Sequence, residues 1–393
     1  MRAPLLCVAI VSLTCASGRV VANPWSTQPL IGIVGQFATN PALAPDGHSE
    51  TDAALVLNLP VNYDVDSFHF VATPSVRYGD ATGYSSVTSN YFHFDTSAQL
   101  ANDLGSTTFT GSIYRDSSLL YAGEIENGVG VRRDMSSADI NWQRSLTELD
   151  QLQLDLNTTR TLFAQSDVQS PLINLIDYRY TSFSPAMLFA LSERNTFRVI
   201  GGAGRYQAID GLTDSDSLSL QLGFDRQLSE LWTLKTSAGY SKSTDREKYY
   251  FFGFYFGTIE STQKSTVYSA NLVRQGEALT LNLGASRALA PTGFSYLSRQ
   301  QSVNFGANYA YSERWTFNSS ITWQTNVNPL NNGSNIDVKY FNGTFSATWH
   351  CTEQWLLTLQ ATKVLDRYGE PLVTGTSTGI SIQISRQFYR ADL

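Results

Sequence analysis

Cysteine, histidine and methionine are scarce in this chain, with 3, 4 and 3 residues among 393. Two of the cysteines, Cys7 and Cys15, lie near the N-terminus, which leaves Cys351 alone and excludes an internal disulfide framework beyond that stretch. The four histidines, His48, His69, His93 and His350, form no pair with metal-ligand spacing, so no zinc site is expected. After the N-terminal stretch no apolar run approaches the ~18 residues of a helical membrane span. Charged residues are only 16%, and acidic ones outnumber basic ones 34 to 27, so nucleic acid is an unsuitable partner. No Pro/Gly/Ser-rich linker and no shift of composition divides the chain.

The beginning reads as a signal peptide over residues 1–22. It has one basic residue near its start (Arg2), an apolar stretch from Leu5 to about Ala16, and small residues before a cut after Ala22. Ala16 and Gly18 are alternative cleavage positions. Cys15 invites a lipoprotein reading, but Thr14 before it departs from the usual small residue. Loss of Arg2 and Arg19 with the leader leaves 25 basic against 34 acidic residues, a net charge of −9. The remainder, residues 23–393, reads as a single domain.

What the chain does have is a short acidic turn repeated at intervals. "LSERNTF" (191–197), "LSELWTL" (228–234), "YSERWTF" (311–317) and "CTEQWLL" (351–357) share one plan, with looser copies at "LTELDQLQL" (146–154) and "RQGEALTLNL" (274–283). Glu148, Glu193, Glu230, Glu277, Glu313 and Glu353 are separated by 45, 37, 47, 36 and 40 residues. A period near ~40 also suits a propeller blade, but a blade needs four short strands per period, and each period here holds two longer ones.

The runs between the turns alternate strictly. In 215–227, Leu218, Leu220, Leu222 and Phe224 share one face, and Ser217, Ser219, Gln221, Gly223 and Asp225 share the other. Period-2 alternation over ten residues is a strand between two unlike environments. A soluble sandwich or lipocalin-like barrel would satisfy that, but its strands average ~5–6 residues. These run to roughly ten to thirteen, the length needed to cross a bilayer at a tilt. Trp232, Trp315, Trp349 and Trp355 flank the acidic turns, as interfacial aromatic residues do. The expected fold is all-β: a transmembrane antiparallel up-and-down β-barrel of about eighteen strands, with sixteen as the alternative.

Eight short turns, including two weaker ones near 61–65 and 101–104, are expected at the periplasmic end with both termini, and nine longer connections outside the cell. The alternation turns Leu220, Leu281, Phe305, Ile321 and Phe345 to lipid. It turns Lys235, Thr280, Asn282, Asn304, Asn308, Asn318, Gln324, Asn342 and Thr344 to the lumen. Such walls offer hydrogen bonds to hydrophilic solutes. The connection 243–262 carries Tyr249, Tyr250, Phe251, Phe252, Phe254, Tyr255 and Phe256, an unusually aromatic external loop. It reads as an extension of two strands, as a platform for sugars or a partner, or as an inward constriction.

Catalytic constellations are thin. His48 lies beside Asp46 and Glu50, and His69 and His93 alternate with phenylalanines that face lipid. No Ser–His arrangement or nucleotide loop emerges; "VIGGAGRYQ" (199–207) sits within a strand and lacks a following helix. No cofactor is expected, and the protein does not read as an enzyme.

The turns together with "LNLGASRALAPTGFSYLSRQQSVNFGANYAYSERWTF" (281–317) and "SLSLQLGFDRQLSELWTL" (217–234) resemble a family of outer-membrane barrels encoded with exopolysaccharide and PEP-CTERM (exosortase) systems. In that family a "SRSLSPSG"-like hairpin precedes a "LSERL" turn, and residues 286–293 with 312–315 are similar. The resemblance spans about 170–365. It implies an outer-membrane location and a link to surface polysaccharide, and carries over no functional residue. "STGISIQISRQF" (377–388) resembles the signal read by the barrel-assembly machinery, although Phe388 is followed by five more residues. Expected partners are therefore that machinery, outer-membrane lipid and lipopolysaccharide, and surface polysaccharide. Three activities stay open: a passive pore, a scaffold whose loops bind polysaccharide or a secretion component, and an outer-membrane hydrolase.

Overall fold

The computed structural model describes residues 24–41, 43, 47–82, 90–117, 131–164, 175–252, 254–293, 297–327, 337–368, 373–389 and 391–392. The expected signal peptide, Asp46 and much of the expected external connections, 118–130 and 328–336 among them, lie outside them.

The described residues form one closed sheet of 21 segments. The chain begins with β1 (Trp25–Thr27), β2 (Leu30–Thr39), β3 (Ser49–Asn58), β4 (Val61–Val65) and β5 (Phe68–Thr82). Next come β6 (Tyr91–Asn102), β7 (Gly105–Ser117), β8 (Arg132–Ser145), β9 (Asp150–Phe163), β10 (Tyr178–Ser192) and β11 (Asn195–Ala208). The second half is β12 (Thr213–Gln227), β13 (Trp232–Phe251), β14 (Phe254–Gln275), β15 (Leu279–Pro291) and β16 (Leu297–Ser312). It ends with β17 (Trp315–Val327), β18 (Asp337–His350), β19 (Trp355–Tyr368), β20 (Val373–Gln387) and β21 (Ala391–Asp392). Successive wall strands pair antiparallel, and β2 against β20 closes the ring, from Leu30 opposite Gln387 to Ala38 opposite Gly379.

Three of the segments are continuations. β3 and β4 pair with β5 in a single register, Thr51 opposite Thr82 and Val61 opposite Ala72, so they are one strand interrupted at Leu59–Pro60. Proline lacks the ladder donor, which explains the break. β1 extends β2 along β3–β4 in one register, and β21 extends β20 after a one-residue shift, so the 21 segments make eighteen wall strands. The expected turn near 61–65 is corrected by this: Val61–Val65 is strand, and the chain reverses at 66–67.

Five of the six acidic turns share a chemistry that lies in the hydroxyl before the glutamate; the sixth has Gly276 before Glu277. Thr147 Oγ1 accepts from the amides of Leu149 (3.1 Å) and Asp150 (2.9 Å). Ser229 accepts from Leu231 (3.3 Å) and Trp232 (3.2 Å), and Thr352 from Gln354 (3.2 Å) and Trp355 (3.1 Å). Ser312 receives Arg314 N at 3.3 Å, and Ser192 receives Arg194 N at 3.4 Å. A side-chain oxygen thus replaces the acceptor that a reversing backbone loses. Asn102 does the same at 103–104, where no glutamate follows.

Outside, the wall is apolar. Leu218, Leu220 and Leu222 are 64%, 61% and 55% exposed while Ser219 and Gln221 between them are half-buried. At the turn end this band finishes in rings. Trp315 stacks on Trp349 and Phe317, Trp25 meets Tyr63 and Phe70, and the Arg386 guanidinium lies over Trp355. No helix among the described residues is long and apolar enough to cross a membrane; the strands do so.

Segment 243–262 is not a loop. It is the continuation of β13 and β14, paired from Trp232 opposite Arg274 to Phe251 opposite Phe254, with Phe252 in the left-handed region at the tip (φ 48°).

Candidate functional site: the lumen and its mouth

Cross-strand partners share a face, so the register fixes which side chains point inward together. Thr280 opposes Asn308, which opposes Asn318. Asn304 opposes Thr322, which opposes Asn342. Gln324 opposes Ser302 and Tyr340, and Thr344 opposes Ser320. Lys235 opposes Asp225 and Asn271 on the same inward face. Five of the nine residues named from the sequence, Thr280, Asn282, Asn308, Asn318 and Thr344, line a single recess of ≈ 290 Å³ with Ser320 beside them. Asn304, Gln324, Asn342 and Lys235 lie outside it.

Inward charge is more abundant than the neutral set suggests. Asp95, Asp139 and Asp155 come from β6, β8 and β9; Asp95 opposes Ser112, Asp139 opposes Thr110 and Asn157, and Asp155 opposes Asn141. Neutral amides face two of these carboxylates, Asn141 donating to Asp155 at 3.4 Å and Asn157 to Asp139, and no cation pairs with any of the three among the described residues. Three other inward acids are neutralised, Asp52 by Arg77, Asp116 by Arg133 through bonds of 2.8 and 2.7 Å, and Asp225 by Arg198 at 2.8 Å, whereas Asp245 is bonded only to the neutral Ser243 and Gln263. Single carboxylates among serines and threonines carry little pattern in sequence. Their convergence depends on which strands become neighbours.

The two ends of the lumen differ. Near the turns Lys235, Thr280, Asn282 and Asn308 are exposed. Near the loops Arg133, Thr161, Tyr206, Ser215, Asp245 and Asp366 are buried. A cause is visible between β14 and β15. They pair only from Tyr268 opposite Arg287 to Gln275 opposite Thr280, although β14 runs on to Phe254 and β15 to Pro291. Above Tyr268 the wall therefore splits, and Thr292 and Gly293, which follow β15, reach the inward side of β9–β11.

There they are anchored. Tyr206 Oη donates to Thr292 O at 3.1 Å, and Ile176 N to Gly293 O at 2.7 Å. Phe163, Leu175, Tyr178, Tyr206 and Leu297 form a buried apolar cluster with Val131 and Ala208. Gly293 sits against it so closely that a Cβ would lie 2.9 Å from both Leu175 Cδ2 and Phe163 Cζ. Burial of ~1.5–3 kcal/mol per large apolar side chain makes this a preferred arrangement of the mouth. Among the described residues, inward side chains are exposed toward the turn end, and Thr292 and Gly293 lie against the inward side of the wall at the loop end.

The histidines do not converge. His48 is exposed. His69 is bonded to Asp64 at 2.9 Å in an exposed position, and His93 is stacked on Tyr91 at 4.5 Å with Tyr114 at its edge. Among the described residues no three His, Cys, Asp or Glu gather as metal ligands. Cys351 is free and exposed. At the hairpin tip Tyr249, Tyr250, Phe252, Phe254, Tyr255 and Phe256 are all exposed, and Tyr250 meets Tyr255 edge-on at 5.8 Å. Phe251 opposes Phe254 in the ladder.

No family model matches the chain, and no curated protein does. Solved structures do resemble it. The ferric citrate transporter FecA in its unliganded form has a TM-score of 0.48 at 10% identity, over 94% of this chain and 79% of that one. OccAB3 from Acinetobacter baumannii has 0.43 at 10% identity over 93% and 99%, and a BenF-like porin from Pseudomonas fluorescens Pf-5 has 0.44 at 9% over 92% and 99%. The copper transporter OprC has 0.44 at 11% identity, with 88% of this chain covering 64% of that one.

Proposed function

We propose that the chain is an outer-membrane channel for small hydrophilic solutes, neutral or cationic, with its turn end and both termini in the periplasm. The supporting observation is the polar inward face of β15–β18, where Thr280, Asn282, Asn308, Asn318 and Thr344 line one recess. Asp95, Asp139 and Asp155 give that wall an unneutralised negative side, and rings of carboxylates favour cations. Thr292 and Gly293 make passage gated: solutes move when these two residues leave Tyr206 and the Phe163–Leu175 cluster. A link to surface polysaccharide is proposed from the sequence resemblance alone.

Planar-bilayer recording is the test. The expected result is cation-selective current whose reversal potential shifts toward zero in Asp139→Asn/Asp155→Asn. Absence of conductance at every voltage, in Tyr206→Phe as well as wild type, would remove the channel reading.

The exposed aromatic hairpin favours a second reading, a non-conducting scaffold whose hairpin holds polysaccharide or a secretion component. Aromatic faces stack on sugar rings and on apolar partners. Deleting 243–262 should then abolish polysaccharide retention with the barrel still inserted, and unchanged retention would exclude that hairpin.

A further inference from the structure

On the outward face, three cross-strand positions place like charges directly against each other. Arg160 on β9 opposes Arg179 on β10, Lys242 on β13 opposes Lys264 on β14, and Lys339 on β18 opposes Arg367 on β19. All six are exposed, and no carboxylate lies within ion-pair distance of any of them among the described residues. Like charges directly opposite destabilise a ladder, so three such pairs in one barrel call for an anion.

Their height identifies it. Counted from the turn-end strand residues Asp150, Ser192, Trp232, Gln275, His350 and Trp355, the six lie 10, 13, 10, 11, 11 and 12 residues along their strands. A tilted strand spends ~9–11 residues in the hydrocarbon core. The pairs therefore form a collar at the opposite membrane surface from the aromatic rings. Below the lysine pair the wall is apolar: Leu218, Leu220 and Tyr240 are 64%, 61% and 71% exposed, and with the lysines they line an outward recess of ≈ 410 Å³. Immediately above, basic charge is neutralised within the protein. Arg246 donates to Asp214 at 3.0 Å and to Asp216 at 2.7 Å. Among the described residues the hydrogen-bonding edge of β14 beside Lys264 is also left unpaired where the wall splits.

We propose that this collar binds the phosphate groups of an anionic glycolipid in the outer leaflet, with Lys242 and Lys264 as its principal site. The ammonium pair takes the phosphate, Leu218, Leu220 and Tyr240 take the top of the acyl chains, and the open β14 edge faces the sugar hydroxyls. This rests on the reading that the loop end faces outward.

The test is native mass spectrometry of the full chain in detergent, titrated with bisphosphorylated lipid A, with its dephosphorylated counterpart and with inorganic phosphate. Lipid A should be retained in preference to the dephosphorylated form. Lys242→Gln/Lys264→Gln should lower its retention roughly 10–30-fold, the effect of two cations near an anionic surface. Arg160→Gln/Arg179→Gln and Lys339→Gln/Arg367→Gln should cause smaller losses. Equal retention of the two lipids, or wild-type retention by the lysine variant, overturns the proposal. So does full displacement by inorganic phosphate, which would reveal a site for the free ion. Protease cleavage at 243–262 in intact cells tests the orientation separately, and bilayer current in the lysine variant tests the channel, so failure of either reading is seen apart from failure of the lipid site.

Discussion

At the residue scale, the repeated turn assigns different weights to neighbours that look equally prominent in sequence. Ser229 and Thr352 each accept two backbone amides, whereas Glu230 and Glu353 next to them have no ion pair among the described residues. Removing the acceptor strands those amides at a tight reversal. Thr352→Ala should therefore cost about 0.5–1.5 kcal/mol, the usual net value of a hydrogen bond. Glu353→Ala should stay within ~0.5 kcal/mol, as an exposed substitution does. Urea unfolding in detergent measures both, and a larger loss from Glu353 would assign the turn to the acid. The hydroxyl is the structural letter of the motif.

At the scale of strands, two faces of one element make opposite demands. Phe345 points outward and is 51% exposed, while Thr344 beside it lines the inward recess. Phe345→Arg should cost ~2–4 kcal/mol in lipid vesicles and impair assembly, while Thr344→Arg should fold and alter current only. Reversal of that order would turn the barrel inside out. Strand positions of this kind were legible from alternation because each residue reports its own environment locally. The interruption at Pro60 was not, since a Leu59–Pro60 step looks like a turn until the register of β5 runs unbroken past it. The aromatic run at 249–256 has the composition of a loop and the pairing of a hairpin. Least legible was the crossing of the mouth: Leu175, Tyr206 and Gly293 are unremarkable residues, far apart in sequence, that acquire their role only where β15 leaves β14.

At the scale of the whole molecule, the mouth is a contest between an intact wall and an apolar cluster inside it. Gly293→Ala inserts a methyl group 2.9 Å from Leu175 and Phe163, and overpacking of that kind costs ~1–3 kcal/mol. The cost falls on the closed arrangement alone, so the open fraction should rise roughly 5- to 150-fold from a small starting value, as longer open times in single-channel records. Tyr206→Phe, which removes the bond to Thr292, should act in the same direction and less strongly. Shorter openings in Gly293→Ala would show that the cluster holds the path open.

The seam between β2 and β20 carries a consequence for time instead of space. Every other junction in the wall joins strands made one after the other, but Leu30 finds Gln387 only when nearly the whole chain exists. Contacts so distant in sequence form slowly. Until they form, the sheet has two bare edges, each a template for pairing with another chain. An unfinished sheet is therefore open to pairing with its siblings, and an interrupted synthesis yields hairpins that never meet. The last strand made is the one that certifies all the others.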